Sequence, residues 1–361
     1  MFLRKLHVHN FRNYSDALIE FNPSINAFYG DNAQGKTNLL EAIYFLIVGR
    51  SFRTPHIDEL VKNGSPGFFL EAYFIKHGVE HRLKVIYNGK EKKVVFNNTT
   101  CPSITALLGL LSGVVIIPND DLIKGSPSSR RLFLDLLIAQ TDPLYIYHST
   151  RYSKAMQQRN SMLKQKRLSG IEAFEHELAN SGAYIMAQRT KTINDMQELL
   201  PDLYSNLSGE SNYLKLVYKG REHKTESEYK NDLIKLYEYL RSREMHLGMT
   251  LAGPHRDEMQ IVLGEQEMRY FGSEGQQRTC VAAMRLAGWL RLKNVLGEAP
   301  LTLIDDIGIS LDKRRLQRMM DYLATLGQVF VTSTEAWQNN TVGSFHVNQG
   351  IIEAYDEAKQ Q

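Results

Sequence analysis

Cysteine is scarce in this chain: Cys101 and Cys280 are the only two among 361 residues. They form no metal-ligand spacing, and so low a count suits a reducing compartment. Nowhere does the sequence hold about 18 consecutive apolar residues, so no membrane span is expected. The first residues, Met1-Phe2-Leu3-Arg4-Lys5-Leu6-His7-Val8-His9, lack a long apolar core and a cleavage pattern. No signal peptide is expected there, and the reading is a cytoplasmic protein. Charge of one sign is also missing in bulk. Against 43 Lys and Arg stand 40 Asp and Glu, a net charge of +3, so only local clusters can argue for a polyanionic partner. Internal repeats and low-complexity tracts are absent too. What remains is ordinary: 43% hydrophobic and 23% charged residues, enough for a packed core in one large domain or two smaller ones.

The most informative stretch is residues 25–47. An apolar run, Ile25-Asn26-Ala27-Phe28-Tyr29, leads into Gly30-Asp31-Asn32-Ala33-Gln34-Gly35-Lys36-Thr37, and then into Asn38-Leu39-Leu40-Glu41-Ala42-Ile43-Tyr44. The middle block fits G-x-x-x-x-G-K-[ST], with the strand before and helix after that a phosphate-binding loop requires. The glycines let successive N–H groups converge on phosphate oxygens, and the helix start adds the positive end of its dipole. Lys36 is expected on the β- and γ-phosphates of a nucleotide, and the Thr37 hydroxyl on Mg²⁺. The plainer alternative, a glycine-containing turn, does not account for all eight positions.

Around this stretch the first hundred residues read as strands: Phe2–Val8, Ala17–Phe21, Ile25–Tyr29, Phe68–Ile75, His81–Tyr87 and Lys92–Phe96, with Asn88-Gly89 as a hairpin signal. Val114–Ile117 is a further buried strand. From Ser126 the pattern turns helical, with predicted helices over 127–140, 143–167, 171–205 and 227–245, and a short strand at Tyr213–Tyr218. About 25 residues of helix span only ~37 Å, which excludes long coiled-coil arms. The segment 126–250 therefore reads as a helical arm inserted between residues 1–125 and 251–361 of one domain. Beyond it, Met259–Leu263 and Met268–Phe271 are expected to form a hairpin, and a helix runs from the Gly272 region to Leu296. The strand Leu301–Ile304, a helix Lys313–Leu323 and the strand Gln328–Val331 follow, with a frayed polar tail from Glu353 to Gln361.

A phosphate-binding loop needs an acidic residue at the end of a second buried strand to hold the metal. Leu301-Thr302-Leu303-Ile304 ends in Asp305-Asp306, making Asp305 the metal-side carboxylate and Asp306 the group beside the attacking water. An ordinary strand-to-loop turn is the alternative. Aspartate reaches less far than glutamate, so slow turnover is expected. A second anion site is suggested by Ser273-Glu274-Gly275-Gln276-Gln277 at a helix start. One protomer does not need it for its own nucleotide, so Ser273, Gly275 and Gln276 are assigned to the nucleotide of a second protomer. A simple helix cap is compatible with the same residues.

Taken together these stretches resemble the RecF family of SMC/ABC-type ATPases. The resemblance runs along almost the whole chain, including Asn10-Phe11-Arg12-Asn13-Tyr14, Gly49-Arg50-Ser51-Phe52-Arg53, Gly125-Ser126-Pro127, Arg130-Arg131, Arg151-Tyr152, Gln158-Arg159-Asn160 and Gly253-Pro254-His255-Arg256-Asp257. It implies an α/β fold, an ABC-type ATPase head of mixed sheet with an antiparallel β lobe, interrupted by a helical arm. It implies an ATP- and Mg²⁺-dependent DNA-binding protein that dimerises head to head around two ATP molecules. In the family this acts on double-stranded and gapped DNA with RecR and RecO to promote RecA loading. By position, Arg12 would approach the nucleotide phosphates, and Thr332 to Thr334 would lie where a γ-phosphate sensor is expected. Ala33 stands where the family often has glycine. Ile309 and Ser310 replace a more usual polar pair, and Pro118-Asn119-Asp120-Asp121 is placed like a Q-loop without a glutamine.

For DNA the most suggestive run is 151–167, where Arg151, Lys154, Arg159, Lys164, Lys166 and Arg167 occur without one acidic residue. Such a helix face can neutralise phosphates, and a solvated basic face is the alternative. Arg50, Arg53, Lys90, Lys92 and Lys93 are further candidates. No groove-reading motif appears, so backbone or shape recognition is expected. Two rival functions are an ATPase subunit coupled to membrane transport, which would keep a shorter insert, and a nuclease-linked ATPase, which would need a further acidic cluster.

Overall fold

The computed structural model describes residues 1–118, 120–220, 225–306, 322–323, 325–336 and 342–354. Asn119, Ile309, Ser310, the core of the predicted helix at 313–323 and the tail beyond 354 lie outside the described residues. The chain divides into two compact units. The first holds Met1–Asp120, Leu203–Glu210 and Glu274–Gln361, and the second holds Asp121–Asp202 and Ser211–Ser273.

The first unit begins with the strands β1 (Phe2–Phe11), β2 (Tyr14–Glu20), β3 (Ile25–Tyr29), the helix α1 (Lys36–Val48), and the strands β4 (Phe68–Lys76), β5 (Val79–Tyr87), β6 (Lys92–Phe96), β7 (Thr99–Cys101) and β8 (Gly113–Ile116). An antiparallel sheet of order β2-β1-β4-β5-β6-β7 forms the lobe. Leu6, Val8, Leu70, Ala72, Leu83 and Val85 alternate inward along its strands and are fully buried, the period-two pattern of a sheet with one wet face. Helix α1 touches both this lobe and the parallel sheet described below. Sandwiched in that way it has no polar side, which is why Leu39 through Val48 are all buried.

The second unit carries helices α2 (Pro127–Ala139), α3 (Pro143–Lys164), α4 (Ile171–Gln197), α5 (Leu200–Ser208, of which only the first residues belong here) and α6 (Glu226–Leu247), with strand β9 (Leu214–Tyr218). Asp142 caps α3 by accepting the amides of Leu144 and Tyr145, and Thr225 with Glu228 closes a capping box on α6. The predicted helix over 171–205 is two helices, because Pro201 cannot donate into a continuous helix and sits in the first turn of α5 instead. Strand β10 (Met259–Leu263) pairs with β9, and also with the short β11 (Gln266–Glu267). The expected hairpin with 268–271 does not form; that segment is a helical turn, α7 (Met268–Phe271). Because β10 pairs with β9, the inserted unit runs on to Ser273 rather than ending at 250.

The first unit resumes with α8 (Glu274–Leu296), β12 (Leu301–Ile304), β13 (Val329–Ser333), β14 (Val342–Asn348) and β15 (Ile351–Ala354). Its second sheet has the order β15-β14-β3-β13-β12-β8, with β14, β3, β13, β12 and β8 mutually parallel. Ligands of such sheets collect beyond the carboxyl ends of the strands. Here the ends of β3, β13 and β12 are adjacent, and they carry the phosphate-loop sequence, Thr332 and Asp305.

Candidate active site

Lys36 is buried at the first turn of α1, and its ammonium donates to the carbonyls of Gly30 at 2.5 Å and Asp31 at 2.8 Å. Burial lowers its pKa, against the pull of Asp306, Asp305 and Asp31. The loop curls tightly because Gly30 and Gly35 take φ of 139° and 119°. A Cβ at Gly30 would lie 2.5 Å from the Val347 carbonyl oxygen, and one at Gly35 would lie 2.6 Å from the Asn13 side chain. Ala33 occupies the left-handed region at φ 65°, so the position where the family often has glycine does demand that conformation.

Two hairpin turns grip the end of this loop. From the β1–β2 turn, the Asn13 amide donates to the Gln34 carbonyl at 2.8 Å and the Tyr14 hydroxyl to the Gly35 carbonyl at 2.9 Å. The Asn38 amide donates back to Asn13 Oδ1 at 2.8 Å. From the β14–β15 turn, the Gly350 amide donates to the Gln34 carbonyl at 3.0 Å, and the Gln349 amide to Gln34 Oε1 at 2.9 Å. Sequence reasoning missed Asn13, Tyr14 and this last turn as supports of the site. Their only signal is turn chemistry at opposite ends of the chain.

At the start of α1 the Thr37 hydroxyl donates to Asp305 Oδ1 at 2.8 Å, with Oδ2 at 3.1 Å. The Thr332 hydroxyl donates to the same Oδ1 at 2.8 Å and accepts the Asp306 amide at 2.7 Å. Burial raises the pKa of Asp305, while hydrogen bonds from Thr332 and Thr37 oppose it. Hydroxyl and carboxylate oxygens side by side are the hard donors that Mg²⁺ prefers, so Thr37 and Asp305 suit that ion. Asp306 sits at φ 50°, which turns the chain away from the strand line directly after Asp305. Thr332 is fully buried and already committed on both sides, so it is not an open phosphate sensor; Thr334 is exposed.

Arg12 is engaged with α1 and the Glu59 backbone. Its guanidinium makes a two-pronged ion pair with Glu41 of α1, Nε to Oε2 and Nη2 to Oε1, each at 2.8 Å. Its third donor reaches the Glu59 carbonyl at 2.7 Å. Ser51 donates to the same carboxylate, and Arg53 lies 3.8 Å from it while donating to Asn38 Oδ1 at 2.8 Å. Glu41 is fully buried, and nothing local to it marks it as the residue that gathers these partners. Asp120, of the Q-loop-like segment, accepts two bonds from Arg285 of α8. Ser273 is exposed, just ahead of α8, and Gly275 and Gln276 are half-buried in its first turn.

The basic run on α3 separates into three kinds. Lys154 and Lys164 are exposed on the helix, and Lys166 and Arg167 are exposed just after its end. Arg151 is 48% exposed but paired with Glu177 and laid over the Tyr147 ring. Arg159 corrects the expectation outright. Its side chain is 0% exposed, bonded to Glu244 at 2.6 Å and Glu175 at 2.9 Å, and to Thr250 at 3.0 Å. A guanidinium enclosed among α3, α4 and α6 cannot reach a phosphate backbone.

Among the described residues no helix is long and apolar enough to cross a membrane. No group of three or more His, Cys, Asp or Glu there could hold a metal ion. A family model described as RecF/RecN/SMC N terminal domain matches residues 2–355. The DNA replication and repair protein RecF of Protochlamydia amoebophila is 46% identical over 339 residues, covering 93% of this chain and 94% of that protein. The protein of the same name from Chlamydia caviae is 36% identical over 360 residues, covering 98% of each. A solved structure of the recombination mediator protein RecF-ATP in the RecFOR pathway matches with a TM-score of 0.92 at 29% identity, over 98% of both chains. An Smc head bound to the C-winged helix domain of ScpA matches in fold alone, with a TM-score of 0.58 at 16% identity and 99% coverage. With the phosphate loop, the Thr37–Asp305 pair and the mixed sheet behind them, these likenesses converge: the chain belongs to the RecF family of DNA replication and repair proteins, SMC-like ATPases with an ABC-type head.

Proposed function

We propose that this chain is an ATP-switched DNA clamp of recombinational repair and replication restart. The observation that carries the reading is the unbroken hydrogen-bonded series Thr37–Asp305–Thr332–Asp306 at the end of three parallel strands, next to the buried Lys36. Lys36, the amides of residues 31–38 and Thr37 hold the nucleotide, and Thr37 with Asp305 holds Mg²⁺. The ion supplies charge neutralisation on the phosphate oxygens. Asp306 takes the proton of a water whose oxygen attacks the γ-phosphorus as the bond to the bridging oxygen breaks. Arg12 joins the phosphates only on leaving Glu41.

Ser273, Gly275 and Gln276 serve the nucleotide of a second copy, so two ATP molecules join two heads. DNA, double-stranded or gapped, lies against Lys154, Lys164, Lys166 and Arg167, with RecR and RecO as partners in loading RecA. Hydrolysis is slow, is stimulated by DNA and loosens the dimer. Because bound ATP stabilises the pair by linkage, dimerisation depends on ATP concentration.

Sedimentation with ATP, ADP and no nucleotide tests the switch, alongside nucleotide titration of Lys36→Ala. The expected outcome is dimers with ATP alone, no nucleotide binding by Lys36→Ala, and a Ser273→Arg variant that binds ATP as a monomer. Dimers of equal strength in all three conditions, or Ser273→Arg dimers with ATP, refute it.

A further inference from the structure

Thr332 lies on β13, the strand between β3, which feeds the phosphate loop, and β12, which delivers Asp305. Its hydroxyl has one proton, and the geometry uses it completely. The proton goes to Asp305 Oδ1 at 2.8 Å, and the oxygen accepts the Asp306 amide at 2.7 Å. One buried side chain thus holds two consecutive acidic residues at once, and it holds the second at φ 50°. L-residues adopt that left-handed backbone region rarely, though aspartate tolerates it better than most, and here the Thr332 hydroxyl accepts the Asp306 amide and so fixes it.

We infer that Thr332 is the positioning residue of this ATPase, fixing the metal-side carboxylate of Asp305 and the backbone that aims Asp306. The inference rests on the proposed roles of those two aspartates. Thr37 also donates to Asp305, but Thr37 is the hydroxyl expected to turn to the metal. When it does, Thr332 remains the hydroxyl that orients Asp305. The backbone of Asp305 is anchored independently, its amide donating to the Ile116 carbonyl at 2.9 Å. Loss of the Thr332 hydroxyl therefore frees the carboxylate rotamer and the Asp306 peptide without unseating the strand. Lys36 shares no hydrogen bond with Thr332, and Thr37 meets it only through Asp305, so nucleotide affinity should change far less than turnover.

The test compares Thr332→Val, which keeps the shape and removes the hydroxyl, with Thr332→Ser, which restores it. Hydrogen bonds to charged groups set the scale, so Thr332→Val should lower kcat by about 10- to 100-fold while the ATP dissociation constant stays within about twofold. Thr332→Ser should recover most of kcat. In nucleotide-free protein, amide exchange in the peptide containing Asp306 should be slow in wild type and Thr332→Ser, and fast in Thr332→Val. Wild-type kcat in Thr332→Val, equal loss of affinity and rate, or no recovery with serine would each overturn the inference. Should Thr332→Val not fold, fast exchange at Asp306 in the wild type, or unaltered kcat and exchange in Thr332→Ala, overturns it as well. Lys36→Ala run in parallel separates the two levels. If it hydrolyses ATP normally, the assigned site itself is wrong; if it is inactive while Thr332→Val is normal, only the role of Thr332 falls.

Discussion

Replacing Arg159 distinguishes a phosphate contact from a structural ion network. In the folded chain its guanidinium is sealed from solvent, with Glu244, itself 0% exposed, at 2.6 Å and Glu175 at 2.9 Å. It also lies over the Tyr237 ring at 5.0 Å. The carboxylates do not suffer equally when it is removed. Glu175 keeps a two-pronged pair with Arg241, at 2.6 and 3.2 Å. Among the described residues, the Glu244 carboxylate then keeps only the Leu251 amide, at 2.6 Å. Arg159→Met should therefore leave Glu244 as an uncompensated buried charge and cost about 3–5 kcal/mol. That is a large part of the 5–15 kcal/mol, roughly, that holds an ordinary domain together. For a slope of about 2 kcal/mol/M in urea, the midpoint falls by about 2 M.

Adding Glu244→Gln to Arg159→Met should recover at least about 1 kcal/mol, since an amide is cheaper to bury than a charge. The assay is urea unfolding followed by circular dichroism, with DNA binding measured separately on the fraction that remains folded. That fraction should show an unchanged salt slope for DNA. A stable Arg159→Met protein with a reduced salt slope would refute this account and return Arg159 to the DNA face.

Other consequences are as direct. Neutralising Lys154 and Lys164 together should leave stability within about 0.5 kcal/mol and reduce the salt slope of duplex binding by about 0.9 per lost contact; a filter-binding series in salt checks this. Asp306→Asn should lower ATP turnover by about 100-fold or more and lengthen the life of the ATP dimer, read by single-turnover kinetics and sedimentation. Ala33→Gly trades a left-handed alanine, which costs about 1–2 kcal/mol, for a more flexible unfolded chain worth about 0.4–1 kcal/mol. A net gain on the order of 0.5 kcal/mol is expected in urea unfolding, with ATP binding retained.

Some of this protein was decided locally, and those parts were legible in the sequence. The phosphate loop is eight consecutive residues between a strand and a helix, so its chemistry is written where it acts. The strand before Asp305 was legible because Leu301–Ile304 is an apolar run that ends in a carboxylate, and that run is a buried strand whose end meets Thr37. The hairpin around Asn88-Gly89 formed, closed by a four-residue loop, 88–91, in which Asn88 Oδ1 accepts the amides of Lys90 and Glu91. Other features depend on which segments meet. Residues 151–167 contain no acid, so every basic residue there looked free for phosphate. The acids that capture Arg159 come from α4 and α6, 16 and 85 residues away. Likewise β9 and β10 were each legible as strands, but only their pairing across the α6 helix carries the inserted unit to Ser273. The partners of Thr332, Asp305 and the Asp306 amide, became visible only when the order β3-β13-β12 set its strand beside theirs. Periodicity and turn chemistry act over a few residues and declare themselves in sequence. Ion pairing and sheet order are set by which surfaces minimise exposed apolar area and unpaired charge across the folded chain, and only the tertiary structure settles them.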